Sequence, residues 1–303
     1  MVTISRKAHY NAIMSDHIFR FAPSPNGHLH LGHAFSALAS HDMAKEAGGR
    51  FLLRVEDIDI TRCRPEFEIQ MLDDLAWLGL EWETPVRRQS EHFDTYRQAV
   101  DKLDGMGLLY PCFASRKEIA AHVKPEHVDP DGAPLYPGLH KELSEQDIAR
   151  RKAAGEPFAM RLDMGKALAK ALQMSPEPLT FHETSRDMCN TDIIAAEPVR
   201  WGDAVIARKD APTSYHLSVV VDDALQGVTH VTRGRDLFAA TDIHRLLQVL
   251  LGLPEPTYHH HGLLTVEDGR KLSKSHGDKS LKSLREEGAT VEDIRKMISD
   301  ASP

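Results

Sequence analysis

Apolar and polar positions near the start of the chain predict a strand, a helix and a second strand. Ile18–Phe21 is a short, mainly apolar run, and residues 34–47 place apolar side chains at helical spacing. Gly48 and Gly49 end this helix, and the apolar run 51–55 leads into Glu56. A strand, a helix and a strand of these lengths predict a βαβ unit, in which ligands bind at the carboxyl ends of the strands.

The middle of the chain loses this alternation. Two helices are predicted at about 65–78 and 93–106, with a charged loop at 80–90 between them. From 108 to about 197, short strand-like runs, a loop rich in Pro, Asp and Gly, and one helix capped by Ser144 follow without a βα rhythm. We interpret this stretch as an insertion between two halves of one sheet.

The rhythm returns after residue 198. The pattern predicts strands at 204–207 and 229–233 and a helix at 236–252, while 215–221 fits either a strand or a helix start. The predicted fold class is α/β, a Rossmann-type doubly wound parallel sheet with an inserted α+β subdomain and a short helical C-terminal extension. The predicted boundaries are an extension at 1–17, the two halves of the main domain at 18–107 and 198–262, the inserted subdomain at 108–197, and a loop with a tail at 263–303.

Composition and charge indicate a soluble globular protein. The 303 residues are 41% hydrophobic and 27% charged, and 37 Lys and Arg against 45 Asp and Glu give a net charge of −8. This charge does not favour nucleic-acid binding, although a local basic groove would permit it. Because no apolar run approaches the ~18 residues of a membrane span, we expect no membrane partner. We also expect a monomer.

The cysteines and the N-terminus bear on the compartment. Cys63, Cys112 and Cys189 are widely spaced, which is typical of reduced thiols and predicts a cytoplasmic location. The first 17 residues lack the apolar core of a signal peptide. They fit either a disordered extension or an upstream start, with Met14 as the native start.

The stretch 18–34 contains the strongest candidate site. A strand leads through the turn 23–27 to a helix start at which His30 and His33 flank Gly32. A helix start offers free backbone N–H groups and a positive dipole end to phosphate. The two imidazoles share one side of the helix, and Gly32 leaves room for a nucleotide ring. Two histidines at this spacing are more often a surface pair, but the strand, turn and helix start together favour a nucleotide site.

This stretch resembles the first signature of the class I aminoacyl-tRNA synthetases, and FAPSPNGHLHLGHA is similar to the glutamyl branch in particular. Lys271-Leu272-Ser273-Lys274-Ser275 is similar to the second signature, a loop whose ammonium and hydroxyl groups suit a triphosphate. The resemblance spans about 18–278 and implies the catalytic domain of that class, with ATP as substrate and Mg²⁺ on its phosphates. It implies that His30, His33 and Lys274 are catalytic and that Gly32, Lys271 and Ser273 bind ATP together with them.

The resemblance also implies a glutamate site, formed by Arg20, Ala22, Ser24, Glu56, Tyr215 and Arg233. An Arg guanidinium can bind the side-chain carboxylate of glutamate at two points, and Arg20 and Arg233 each lie at a predicted strand end. Glu56 can hold the substrate ammonium group, and Tyr215 and Ser24 supply hydroxyl groups. A single Arg is more often part of a surface ion pair, so the prediction depends on the combination.

A degenerate metal site is predicted within the insertion. In a shorter relative of the glutamyl synthetases the corresponding segment holds zinc through C-x-C and Y-x-x-x-C, whereas this chain has Cys112, Ala114, Tyr136 and His140. Structural zinc takes four N or S ligands, so we expect the site to be lost and zinc to be absent. The run 259–261, three histidines, alternates faces if it is a strand and cannot easily converge on one metal.

The length of the chain points to one branch of the family. The chain ends 28 residues after Ser275, so we expect no anticodon-binding domain of the kind that full glutamyl-tRNA synthetases carry. That shape is similar to the glutamyl-Q tRNA(Asp) synthetases, whose members activate glutamate with ATP without tRNA and attach it to queuosine in the anticodon of tRNA(Asp). Glutamate and queuosine-containing tRNA(Asp) are therefore the expected partners. Three alternatives stay open, namely charging of tRNA(Glu), another nucleotidyl transfer, and a non-catalytic binding module.

Overall fold

The computed structural model describes residues 17–264 and 279–301. The predicted ATP-binding residues Lys271, Ser273 and Lys274 lie outside the described residues, as do Met14 and almost all of the predicted N-terminal extension. Within the described part, no helix is long and apolar enough to cross a membrane.

A seven-stranded sheet organises the described residues, in the order β3-β2-β1-β9-β10-β6-β7. The strands of the protein are β1 Ile18–Phe21, β2 Arg50–Val55, β3 Glu83–Arg88, β4 Leu109–Cys112, β5 Ala159–Leu162, β6 Thr180–Thr184, β7 Thr191–Ala195, β8 Val205–Ala207, β9 His230–Gly234 and β10 Thr257–His261. All neighbours in the large sheet are parallel except β6 and β7, which form an antiparallel hairpin at one edge.

Helices cover the sheet on both sides. They are α1 Leu31–Glu46, α2 Pro65–Trp77, α3 Phe93–Gly105, α4 Arg116–Ala121, α5 Glu145–Ala153, α6 Met164–Met174, α7 Tyr215–Leu225, α8 Ala240–Leu251, α9 Leu281–Glu286 and α10 Val291–Ala301. The α/β class that the sequence predicts is confirmed, with a mixed rather than wholly parallel sheet because of β7.

A second, three-stranded antiparallel sheet has the order β4-β5-β8. Its strand β8 comes from the predicted second half of the main domain, whereas β6 and β7 of the predicted insertion belong to the large sheet. Strand pairing therefore crosses the predicted boundary near 197. These strands have three to five residues each, too few for hydrophobic periodicity to indicate their partners.

Alternation along β1 shows how the sheet positions the site. Phe19 and Phe21 are buried in one apolar cluster with Ala37 and Met43 of α1. Arg20 lies between them in sequence, so its side chain points to the opposite face of the sheet. Strand β1 is a short, mainly apolar run, and it therefore places the buried Arg20 guanidinium on the face of the sheet where α7 packs.

The segment 215–221, which fits either a strand or a helix start, is the first part of helix α7. Its Val219-Val220-Val221 run has β propensity, but all three side chains are buried in the core cluster with α8. Burial overrides the intrinsic preference here. The predicted loop at 80–90 also differs from the structure, since β3 pairs with β2 as an edge strand.

Candidate active site

One cavity of about 430 Å³ opens at the carboxyl ends of β1, β2, β9 and β10. Every predicted catalytic, ATP-binding or glutamate-binding residue that the structure describes lines it: Arg20, Ala22, Ser24, His30, Gly32, His33, Glu56, Tyr215 and Arg233. The βαβ reasoning predicts this location, because loops after parallel strands converge at one edge of the sheet. These residues thus lie around one cavity in the structure, whereas the role of each in binding or catalysis stays a prediction.

The two histidines of the first signature cap helix α1 reciprocally. His30 is the N-cap, and its Nδ1 accepts a hydrogen bond from the backbone N–H of Gly32 at 3.0 Å. Nδ1 of His33 accepts from the backbone N–H of His30 at 3.2 Å, and the ring centroids are 3.9 Å apart. A backbone N–H can only donate, so each neutral ring carries its proton on Nε2. The helix start is therefore paired with two imidazoles of fixed tautomer.

Gly32 has a different neighbour from the one that the sequence suggests. A Cβ at this position would lie 2.9 Å from Cε1 and 3.1 Å from Nδ1 of the His30 ring. These distances are too short for an ordinary contact, and the His30 ring is held by its bond to the Gly32 N–H. The glycine therefore makes room for the capping imidazole, in addition to any room it leaves for a nucleotide.

A buried ion-pair cluster fixes Arg20. Its Nε and Nη2 donate to the two carboxylate oxygens of Asp223 at 3.0 and 3.3 Å. Arg54, fully buried near the carboxyl end of β2, lies 2.8 Å from the same carboxylate through Nη1. Burial disfavours a charged Asp223, but Arg20 and Arg54 outweigh it and lower the pKa of this carboxyl. Asp223 thus already compensates the charge of Arg20.

Glu56 follows β2 directly and lies next to this cluster. Its side chain is 13% exposed, and Oε1 lies 3.5 Å from Nη2 of Arg54. Burial raises the pKa of Glu56 to about 7, against the lowering effect of Arg54 and Arg20. The carboxylate therefore changes charge near neutral pH while lining the cavity.

Arg233 is held differently from Arg20. Its Nε donates to Nε2 of His260 at 3.0 Å, its Nη1 pairs with Nδ1 of His244 at 3.2 Å, and its Nη2 donates to Oγ1 of Thr241 at 2.7 Å. All three acceptors are buried and carry no formal charge when the imidazoles are neutral. A guanidinium has five N–H groups. Among the described residues, one N–H on each terminal nitrogen of Arg233 has no acceptor from this set.

Both imidazoles that hold Arg233 favour the neutral form. Burial lowers the pKa of His244 well below its usual value, and the charge of Arg233 adds to this effect. Burial also lowers the pKa of His260 to about 4, although Glu183 opposes the shift by accepting from Nδ1 at 2.7 Å. Next to His244, His216 has a pKa lowered to about 4 by burial and by Arg233.

Tyr215 and Ser24 contribute two hydroxyl groups to the lining of the cavity. Tyr215 is the first residue of α7, and burial raises its pKa, so the hydroxyl stays protonated and can donate. Ser24 lies in the turn after β1, with its Oγ 3.5 Å from Sγ of Cys63. These hydroxyls are placed as the sequence predicts, near both arginines and Glu56.

The degenerate zinc ligands form a hydrogen-bonded cluster of their own. Nδ1 of His140 accepts from the backbone N–H groups of Phe113 and Ala114 at 3.1 and 3.2 Å. The Tyr136 hydroxyl accepts from the His140 backbone N–H at 2.8 Å, and Cys112 is buried alongside. No group of three or more His, Cys, Asp or Glu suited to a metal occurs in residues 17–264 and 279–301. The absence of zinc stays a prediction.

Three residues of the site have a role that sequence reasoning missed, namely Asp223, His244 and His260. A signal for Asp223 was available, because two consecutive acids follow a run of buried valines and Arg54 interrupts the apolar strand β2. Because a buried charge requires a partner, the acid after the valine run and Arg54 in the apolar strand could have been expected to pair with each other. The two histidines give no comparable signal, since their contact with Arg233 exists only in three dimensions.

Comparison with known proteins identifies the family. The catalytic-domain family of class I tRNA synthetases (E and Q) matches residues 18–299. The chain therefore belongs to the class I tRNA synthetases, which makes it an enzyme of the ligase type.

Two relatives narrow this to a branch. A glutamyl-Q tRNA(Asp) synthetase from Rhodobacter capsulatus is 49% identical, with the alignment covering 93% of this chain and 99% of the relative. One from Symbiobacterium thermophilum is 39% identical over 91% of this chain and 83% of the relative. Within its class, the chain belongs to the glutamyl-Q tRNA(Asp) synthetase family.

The fold also occurs in a solved structure. The glutamate-tRNA synthetase from Elizabethkingia anophelis superposes with a TM-score of 0.72 at 24% identity. The match covers 93% of this chain but spans only 61% of the length of that synthetase. At this identity the likeness shows the fold alone.

Proposed function

We propose that this protein activates glutamate with ATP in the absence of tRNA and transfers the glutamyl group to the queuosine base in the anticodon of tRNA(Asp). One observation carries the proposal. A single cavity joins a helix start with two oriented imidazoles to a buried guanidinium, Arg233, whose contacts are uncharged. The first feature suits the phosphates of ATP, and the second suits an amino acid with a carboxylate side chain. The names of the two relatives support the same reaction.

The amino-acid end of the cavity would bind glutamate through complementary charges. Arg233 offers its two remaining N–H groups to the side-chain carboxylate, and Arg20 lies in the same lining. Ionised Glu56 holds the ammonium group. The Tyr215 hydroxyl donates a further hydrogen bond to the substrate.

The nucleotide end would carry the first chemical step. An oxygen of the glutamate α-carboxylate attacks the α-phosphorus in line, and the bond to pyrophosphate breaks to leave glutamyl-adenylate. The Nε2–H groups of His30 and His33 stabilise the charge that develops on the phosphates. The family resemblance adds Lys271, Ser273 and Lys274 to this role. Mg²⁺ arrives on the phosphates of ATP and neutralises part of their charge.

The second step would transfer the activated acyl group. A hydroxyl of the queuosine cyclopentene diol attacks the adenylate carbonyl, an ester forms, and AMP leaves. The hydroxyl proton passes to the departing phosphate or to solvent. No protein nucleophile is needed, because orientation and electrostatics lower both barriers.

The first experiment measures ATP–pyrophosphate exchange without tRNA. We expect exchange with glutamate and at least tenfold weaker exchange with glutamine, because an amide cannot pair ionically with Arg233. Exchange that ignores glutamate would instead indicate another nucleotidyl transfer. Complete absence of exchange with any amino acid would favour the non-catalytic alternative.

The second experiment locates the acceptor. Labelled glutamate is incubated with queuosine-containing tRNA(Asp), with tRNA(Asp) that lacks queuosine, and with tRNA(Glu). Removal of the 3′-terminal adenosine from the queuosine-containing tRNA provides a matched control, and we expect it to leave labelling intact. Labelling of tRNA(Glu), or loss of labelling on 3′ trimming, would contradict the proposal and favour charging of a tRNA end.

A further inference from the structure

We propose that His244, His260 and Thr241 make the amino-acid pocket selective for a carboxylate by holding Arg233 with uncharged acceptors only. The inference rests on the proposed function in one respect, namely that Arg233 contacts the side chain of the amino acid. The three residues act through Arg233 and are positioning residues that determine specificity.

The contacts of the two arginines in the cavity show the contrast. Arg20 gives two N–H groups to the Asp223 carboxylate, which compensates its charge within the protein. Arg233 is 5% exposed, and its three side-chain hydrogen bonds within the described residues go to two imidazole nitrogens and one hydroxyl. Within the described residues, the nearest carboxylate along these contacts is that of Glu183, on the far side of the His260 ring.

The hydrogen bonds also fix which nitrogen of each imidazole accepts. His244 uses Nδ1 for Arg233, so its proton lies on Nε2, which faces Nδ1 of His216 at 3.2 Å. His260 uses Nε2 for Arg233, so its proton lies on Nδ1, which donates to Glu183 at 2.7 Å. The hydrogen bonds at both nitrogens of each ring therefore favour a single tautomer. Arg is only a donor, so it cannot pair with a ring nitrogen that already carries a proton.

The surroundings of both rings oppose a second proton. His244 faces Arg233, His216 and the ring of Tyr215. His260 faces Arg233, Glu183 and the rings of Phe238 and Tyr258. In both cases a buried cation is in direct contact, and only His260 has a carboxylate beside it.

As a consequence, the positive charge of Arg233 can form an ion pair with a bound ligand. Among residues 17–264 and 279–301, no carboxylate forms a hydrogen bond with Arg233, so a substrate carboxylate can form that ion pair. An amide at the same position still accepts hydrogen bonds from the guanidinium, but it carries no charge and therefore forms no ion pair with Arg233. A protein carboxylate in place of His244 would remove this advantage, although it would hold Arg233 equally well.

A matched pair of variants tests this distinction. His244→Asn keeps an uncharged acceptor where Nδ1 lies, and His244→Asp has the same size and adds one negative charge against Arg233. For His244→Asn we expect the KM for glutamate in pyrophosphate exchange to rise about threefold or less, equivalent to under 1 kcal/mol. For His244→Asp we expect it to rise at least about tenfold, with the preference for glutamate over glutamine falling by a similar factor. We expect the KM for ATP to stay within about twofold in both variants, because the proposed contacts of ATP are with His30 and His33 rather than with Arg233.

A role limited to packing or hydrogen bonding would give a different result. Asn and Asp would then raise the KM for glutamate equally, or Asp would perform better because it binds a guanidinium well; either result overturns the inference. If His244→Asp fails to fold, Thr241→Asn and Thr241→Asp repeat the comparison at the acceptor of Nη2 with the same criteria. Failure of the proposed function is distinguishable, because it appears as a lack of glutamate-dependent exchange in the unaltered protein.

Discussion

Substitution of Glu56 is expected to change the pH dependence of activity, the binding of glutamate and the stability of the fold. Its pKa of about 7, against an ordinary value of 4.5, results from burial beside the cavity. If the ionised carboxylate holds the glutamate ammonium group, kcat/KM for glutamate follows the ionised fraction of Glu56 in the free enzyme. At saturating ATP we expect a plateau above about pH 8 and a fall of about tenfold per pH unit below about pH 7.

The substitution Glu56→Gln separates this carboxylate from other titrating groups. The amide cannot form an ion pair with the ammonium group, so kcat/KM for glutamate at pH 8 is expected to fall by about tenfold to a hundredfold, as for a lost charged contact. The fall of kcat/KM between pH 8 and pH 6 is expected to disappear in this variant. The assay is glutamate-dependent pyrophosphate exchange across that range.

The same substitution is expected to stabilise the fold. Between pH 4.5 and about 7 the folded protein retains a proton on Glu56 that the unfolded chain has released, so stability falls as pH rises through this window. The loss is complete above about pH 7 and amounts to at most about 3–4 kcal/mol, because the pKa of Glu56 rises from 4.5 to about 7 and a difference of one in pKa corresponds to 1.36 kcal/mol. Gln imitates the protonated form and recovers part of this energy at pH 8.

Two measurements would refute the reasoning. Urea unfolding at pH 8 should give a higher unfolding free energy for Glu56→Gln than for the unaltered protein, whereas at pH 4 the two should agree. A Gln variant that is less stable at pH 8 would contradict the burial argument. A Gln variant that keeps the pH dependence of kcat/KM would show that another group titrates.

Three further predictions concern other parts of the structure. Gly32→Ala displaces the His30 ring and should slow pyrophosphate exchange at least about tenfold with little change in the KM for glutamate; equal rates would show that the cap is dispensable. Asp223→Asn leaves Arg20 without its buried partner and should lower the unfolding free energy in urea by about 3–5 kcal/mol, and a loss below about 1 kcal/mol would contradict the cluster. His140→Ala removes the acceptor of two backbone N–H groups and should destabilise the protein by about 1–3 kcal/mol, while metal analysis of the unaltered protein should find no stoichiometric zinc.

Long periodic segments of the fold could be predicted from the sequence, while edges and mixed segments could not. Helix α1 has apolar residues at helical spacing and strand β2 is a nearly continuous apolar run, and both occur within a few residues of the predicted positions. Strand β3 is an edge strand in which no residue is buried and three of the six are charged, so its pattern is that of a loop. Helix α7 combines β-branched residues with helical geometry, and only its burial against α8 decides between the two.

For the site, the residues could be predicted but their electrostatic state could not. The strand ends place Arg20, Glu56 and Arg233 around one cavity, as the sequence predicts. The predicted arginine pair is not symmetrical, however, because the Asp223 carboxylate pairs with Arg20, whereas no carboxylate of the described residues forms a hydrogen bond with Arg233. Such differences depend on contacts between residues far apart in sequence, and no local pattern encodes them.

The ion pairs of the Arg20 cluster also have a consequence for synthesis on the ribosome. Arg20 and Arg54 leave the ribosome about 200 and 170 residues before the Asp223 carboxylate that they share. Until α7 emerges, the first βαβ unit would have to bury Arg20 without its carboxylate partner and Arg54 with only Glu56 beside it, which is strongly unfavourable. The nascent N-terminal segment is therefore expected to remain open on this face, and the amino-acid pocket closes only after most of the chain has been translated.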